Sequence, residues 1–347
     1  MKTQPSVKQA APAPPQAEAR PQEPSLWAWF HPVNWLAGFI AFATSFATYI
    51  YTLQPTVGLE DSGELICAAY RLGVPHPPGY PVWTILGKLF TFIPLGDIAY
   101  RVNMLSAISG ALAAGIVALV LAKTGDIFFG DQEQELGRHH LLPAFERFGL
   151  TTPRLVNSLI AITAGVLFAY TPGTWSQSTI AEVYSLNCCF MALMVLFSLL
   201  LMFNPQRRSL WYWIAFVFAL GVVTHQTITV MMLALIWLAW STRRSFEHFM
   251  HLAINGVILL IFTLSIFNFQ RYFGSFFQVN FGMNVPDLRM LPFDFEQGFF
   301  HNFFVSFIGP FVVYLVAAYY INKRFYNSTE WVKTVAAFFA GLATYFY

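Results

Sequence analysis

Between Glu60 and Pro81 the chain reads EDSGELICAAYRLGVPHPPGYP: three carboxylates within five positions, then an arginine, a histidine and four prolines. Asp61 or Ser62 can cap a helix and Gly73 can end it. Asp61 and Glu64 are three residues apart, so at the start of a helix they project to the same side, where the helix dipole favours negative charge. That spacing serves two readings, a cap followed by an N-terminal helix acid, or a carboxylate pair presented for acid–base chemistry. His76 stands before Pro77, and the run of prolines fixes the backbone around it. Such a connector either holds an imidazole still for a site or is a rigid turn facing water.

Two later segments carry similar residues. TPGTWSQSTIAEVYSLN holds Glu182 and Tyr184, and GVVTHQT holds His225. The apolar spans flanking His225 together cover about 31 residues, 210 to 240, whereas two full crossings of a bilayer need about 40. One or both are short or tilted. His225 is then either an ionisable group at depth, which is costly and commonly functional, or a residue hydrogen-bonded between helices.

The elements that must position these groups follow from composition. Hydrophobic residues make up 56% of the 347-residue chain and charged residues 10%, against roughly 25% charged in a soluble domain. The bilayer must be the main solvent. A net charge of +2, with no basic patch interleaved with aromatics, gives no footing to nucleic acid. Three cysteines, two of them adjacent in an apolar run, argue against a disulfide framework and for buried small hydrophobes.

The first 25 residues, rich in Ala, Pro, Gln and Glu, cannot bury a core and are expected to be a disordered cytoplasmic tail. Residues 26–347 form the expected transmembrane domain, an all-α polytopic arrangement of about nine helices, because a lone segment in lipid must satisfy its own backbone. The spans are expected at 33–53, 102–122, 155–171, 184–203, 210–223, 225–240, 250–268, 301–321 and 332–347. Fourteen Lys and Arg residues then fall on the side of the N-terminus and five on the other, which puts the N-terminus inside. The loop 54–101 lies outside, in the periplasm or the lumen, and the loop 123–154 is an inner, solvated face. Within the outer loop Val82, Ile85, Leu86, Leu89, Phe90 and Ile93 line one face of a short helix expected to lie in the interface. The apolar ending at Tyr347 reads as the front part of a longer chain.

EDSGELICAAYRLGVPHPPGYPVWTILGKLF, followed by DIAYRVNMLSAISGALAAGIV, resembles the signature of a membrane family of formerly unknown function. Its eukaryotic member is the protein O-mannosyltransferase of plexin-type IPT domains. The resemblance covers about residues 33–270, with the Asp-Ser-Gly-Glu and His-Pro-Pro-Gly blocks its most specific part. It implies a fold of the glycosyltransferase C superfamily and a sugar donor carried on polyprenyl phosphate. It further implies inverting transfer to Ser or Thr of an extracytoplasmic protein, with Asp61 as general base and Glu64 beside it. Glu60 departs from the usual pattern and adds a third carboxylate, which can raise a neighbour's pKa by crowding.

Arg71, His76, Arg101, Asn103, Glu182, Tyr184 and His225 are the substrate-binding candidates, the cations among them to hold the phosphate leaving group. Arg101 also flanks a span and reads equally as an interfacial anchor. No metal-ligand spacing stands out, so neither a metal nor another cofactor is expected beyond the lipid-linked donor. The expected partners are membrane lipid, the polyprenyl-phosphate sugar and the acceptor protein, in the inner membrane of a bacterium or the endoplasmic reticulum of a eukaryote. The alternative reading is a non-catalytic relative serving as a structural subunit of a larger membrane complex.

Overall fold

The computed structural model describes residues 29–76, 79–135, 151–205, 207, 209–243, 333, 336–338 and 340–341. The expected tail and the spans at 250–268 and 301–321 lie outside the described residues, as does most of 332–347. Among the described residues there is no strand. The helices are α1 (Pro32–Tyr51), α2 (Ser62–Arg71), α3 (Pro81–Phe90), α4 (Ile98–Glu135), α5 (Thr152–Ala169), α6 (Pro172–Ser178), α7 (Tyr184–Phe203), α8 (Ser209–Thr224) and α9 (Met231–Arg243). Four of them, α1, α4, α5 and α7, are long and apolar enough to cross a bilayer. The chain is an integral membrane protein.

The long α4 is the post around which α1, α5 and α7 pack. Small residues let the axes close. On α1 the buried set Asn34, Ala37, Gly38, Ala41 and Ser45 falls at helical spacing, and α4 answers with Ala107, Ala111, Ala114, Ala118 and Ala122. A Cβ on Gly38 would stand 3.0 Å from the Gly115 carbonyl oxygen, so the two backbones touch where side chains would otherwise separate them. At the other end of this contact Asn34 and Asn157 both donate to the carboxylate of Asp126, at 2.8 and 3.2 Å, and join α1, α4 and α5 through one group.

α4 runs past the expected end of its span, through residues 123–135, so the loop expected at 123–154 begins as helix. The span expected at 225–240 is broken: a 3-10 turn, Gln226–Val230, precedes the 13-residue α9. Phe338 packs back onto Phe218 of α8, with ring centroids 6.0 Å apart.

α2 and α3 form a cap over one end of the bundle. Their shared core joins Leu65, Ala69, Val82 and Trp83 to Val102, Ala181 and Val222. Along the expected stripe Val82 is buried, Ile85, Leu86 and Phe90 are half-buried and Leu89 is exposed. The buried residues of α3 are Pro81, Val82, Trp83, Thr84 and Gly87. Trp83 is fully buried and its Nε1–H reaches the Glu182 carbonyl at 3.0 Å, combining a large apolar burial with a satisfied donor. Gly87 then lets α3 close on α2, since a Cβ there would lie 2.9 Å from that of Ala69. Leu89, Phe92 and Leu95 remain exposed.

Candidate functional site

α2 starts one residue after Asp61, as its sequence suggests, but the end differs. Leu72, not Gly73, takes the left-handed conformation at φ 52°, and the Gly73 N–H returns to the Ala68 carbonyl at 2.9 Å. Asp61 occupies the cap position without making a side-chain capping bond. Its carboxylate is therefore not spent on the helix, which removes the capping reading. Its backbone N–H donates to Glu182 Oε1 at 3.1 Å.

The segment after α2 brings His76 back over the first turn of that helix. The His76 backbone N–H donates to Glu64 Oε1 at 2.6 Å, and Nδ1 lies 2.9 Å from Oε2. Two hydrogen bonds from one residue hold Glu64 below the ordinary carboxylate range, the ring bond contributing most. The other ring nitrogen, Nε2, is 2.9 Å from the Tyr80 hydroxyl and 3.8 Å from Asp61 Oδ2. Asp61, Glu64 and His76 each offer a ligand atom within 4.8 Å of the others, a set that could hold a metal ion. No ligand spacing announces this set, because twelve residues separate Glu64 from His76.

Glu182 meets this cluster from beneath. It is 2% exposed, and burial pushes its carboxyl up to about 7, with the charges of Glu60 and Asp61 adding to the effect and the Asp61 N–H opposing it. Its backbone is fastened as well: Ser106 Oγ donates to its carbonyl at 3.1 Å and accepts from its N–H at 3.2 Å. Glu60 is exposed, sits at φ 60° and accepts from Gln177 Nε2 at 3.1 Å. Tyr80 is held at φ 46°, and burial first, then Tyr184 and the surrounding carboxylates, push its hydroxyl up to about 12. Each non-glycine residue in the left-handed region costs roughly 1–2 kcal/mol; such strain gathers where a site over-determines the backbone. Glu60, Leu72 and Tyr80 all border this cluster or the helix that carries it.

Tyr184 and His225 come together beside it. Their ring centroids are 4.8 Å apart, Tyr184 is exposed, and His225 Nδ1 lies 2.9 Å from Thr227 Oγ1. Partial burial draws the His225 imidazole below its usual range. Asn187 of α7 donates to the same Thr227 hydroxyl at 2.8 Å and ties the two segments.

Three candidates are placed elsewhere. All three guanidinium nitrogens of Arg101 donate to carbonyls of the turn after α3, those of Thr91, Leu95 and Gly96, at 2.9 to 3.0 Å. Asn103 is fully buried and donates to the carbonyls of Gln54 and Thr56, which pins the loop leading to Asp61. Arg71 ends α2, roughly 15 Å along the axis from Asp61 at 1.5 Å per residue, and lies over the Tyr70 ring. Sequence reasoning missed Tyr80, Ser106, Gln177 and Thr227. None carried a local signal; Tyr80, before a proline, is biased by sequence to extended geometry and takes the left-handed one instead.

The family model described as the protein O-mannosyl-transferase TMEM260 N-terminal domain matches residues 61–248, more than half of the chain and every candidate from Asp61 to His225. The chain belongs to this family. The protein O-mannosyl-transferase TMEM260 of Mus musculus is 35% identical over 162 residues, 46% of this chain and 19% of that protein. Its namesake in Dictyostelium discoideum is 24% identical over 221 residues, 59% of this chain and 23% of that protein. The chain thus spans about a fifth of the length of these curated relatives. No solved structure matches it significantly.

Proposed function

We propose that the chain is the membrane-embedded part of a protein O-mannosyltransferase. It moves mannose from a polyprenyl-phosphate donor to a Ser or Thr hydroxyl of an extracytoplasmic protein, with inversion. The observation that carries this reading is the state of Asp61: a carboxylate at a helix start, free of capping duty and facing a histidine fixed by Glu64, in a family whose relatives bear that name.

The chemistry needs one carboxylate to take the acceptor proton as the hydroxyl oxygen attacks the anomeric carbon. Asp61 has that role. The new C–O bond forms as the bond to phosphate breaks, its electron pair leaving with the phosphate. Glu64 orients His76 and Tyr80 meets its other nitrogen, so the imidazole is a fixed neighbour of the base. The exposed Tyr184 ring, backed by His225, offers a face beside the carboxylates for a sugar. Arg101 is left with a structural role, and Asn103 with positioning the loop. The N-terminus lies inside, and the exposed Leu89, Phe92 and Leu95 rest on the outer interface, where a lipid-borne donor and a water-borne acceptor meet.

The test is transfer by the full-length protein in detergent, offering polyprenyl-phosphate mannose and a nucleotide-linked mannose in parallel with a Ser/Thr-rich acceptor. Transfer from the lipid donor alone, giving a product whose anomeric configuration is opposite to the donor's, is the expected result. Use of the nucleotide donor, or retention, refutes the reading. No transfer from either donor by folded protein favours the structural-subunit alternative.

A further inference from the structure

We propose that Glu182 is the positioning residue for Asp61 and does not itself touch substrate, an inference that rests on reading Asp61 as the base. Glu182 has the chemistry expected of a direct participant, yet it is 2% exposed. A carboxylate removed from solvent needs partners, and one of those it has is the backbone N–H of Asp61, 3.1 Å from Oε1. That N–H is at the start of α2, where no intrahelical acceptor exists for it. The Asp61 side chain leaves its own helix uncapped, and the side chain of Glu182, 121 residues away, supplies an acceptor there instead.

The grip is stiff because Glu182 is itself clamped. Ser106 of α4 bonds its backbone in both directions, and the Trp83 indole of α3 donates to its carbonyl. One residue therefore couples the central helix α4, the cap helix α3 and the corner before α7 to the backbone of Asp61. Around it the approach loop is fastened at Gln54, whose N–H donates to the Thr179 carbonyl at 3.0 Å, and at Glu60, which accepts from Gln177. Glu182 is the point of this fastening that acts on Asp61 directly. The charged and titratable groups facing it are Asp61, Glu60, Tyr80 and Tyr184.

Three variants of the full-length protein separate the roles. Glu182→Met keeps the volume and removes the acceptor; Glu182→Gln keeps an acceptor oxygen and removes the charge; Ser106→Ala loosens the clamp and leaves Glu182 in place. Initial rates with polyprenyl-phosphate mannose give kcat and KM for each. Glu182→Met is expected to lower kcat by about a hundredfold with KM within about twofold, as for a reacting group displaced by about an ångström. Glu182→Gln should recover most of that loss, and Ser106→Ala should show a smaller fall in kcat alone.

A raised KM with unchanged kcat in any of the three variants places Glu182 on substrate and overturns the proposal. So does a Gln variant as impaired as Met, or a Met variant as active as wild type. If the Met variant does not fold, the Gln and Ala variants decide: the proposal stands on kcat-only effects and falls on KM effects or on none. An Asp61→Asn variant that retains full activity would instead refute the base assignment, whatever Glu182 does.

Discussion

Replacing Glu182 by Gln removes one titration while keeping the side chain's shape, and the structure fixes what that should do to stability. Burial raises the Glu182 carboxyl from 4.5 to about 7 in the folded protein. The folded state therefore holds this proton more tightly than the unfolded chain. The stabilisation is complete below pH 4.5, shrinks as pH rises, and is gone above about pH 7. At 1.36 kcal/mol per pH unit the whole change is about 3 kcal/mol. A Gln has no such term. Thermal unfolding of wild type and Glu182→Gln in the same detergent, from pH 4.5 to 8, should show the wild type losing ground to the variant by several degrees in Tm, most of it between pH 5 and 7. Parallel curves would show that Glu182 is not desolvated in the folded state. A wild type that gains on the variant as pH rises would show a carboxylate stabilised by a cation, and would refute the placement of this residue.

Three other outcomes follow. Leu72→Gly, at an exposed position with φ 52°, should stabilise the protein by about 1 kcal/mol by relieving the left-handed strain, read as a raised Tm; a lower Tm would deny that conformation. Arg101→Ala should cost roughly 2–3 kcal/mol through three uncapped carbonyls and leave the donor KM unchanged, whereas a large rise in KM at normal stability would restore Arg101 to the phosphate. Both ring nitrogens of His76 already have protein partners, so transfer should survive dialysis against a chelator; activity lost with EDTA and regained with a divalent cation would make Asp61, Glu64 and His76 a metal site.

The membrane helices were legible where a run of apolar residues has polar ends, as for Pro32–Tyr51 and Tyr184–Phe203, whose observed limits differ from the expected ones by two residues or fewer. The two short helices of the loop 54–101 were legible as elements, the first from its start at Asp61-Ser62 and the second from the helical spacing of its apolar residues from Val82. What was not legible depends on distant partners. On α3 the burial of Trp83, which stands off the aliphatic stripe, depends on its indole finding the carbonyl of Glu182, 99 residues away. The end of α2 passed to Leu72 because the left-handed position is fixed by where the helix stops, and Gly73 was the natural but wrong occupant. Arg101 and Asn103 carried the right chemistry for a ligand, and only the fold shows their donors taken by carbonyls. The pairing of Glu182 with Asp61 joins two segments that the sequence could assign to one side of the membrane but not to each other.

The central claim is that the Asp61 carboxylate takes the acceptor proton. The most direct measurement compares kcat of the full-length wild-type protein with that of Asp61→Asn, a change that keeps the size and the backbone bond to Glu182 and removes the basic oxygen. Mannose transfer from the polyprenyl-phosphate donor should fall by about a hundredfold or more in a variant of unchanged Tm, the loss expected for a general base. Transfer at the wild-type rate from Asp61→Asn would contradict the account.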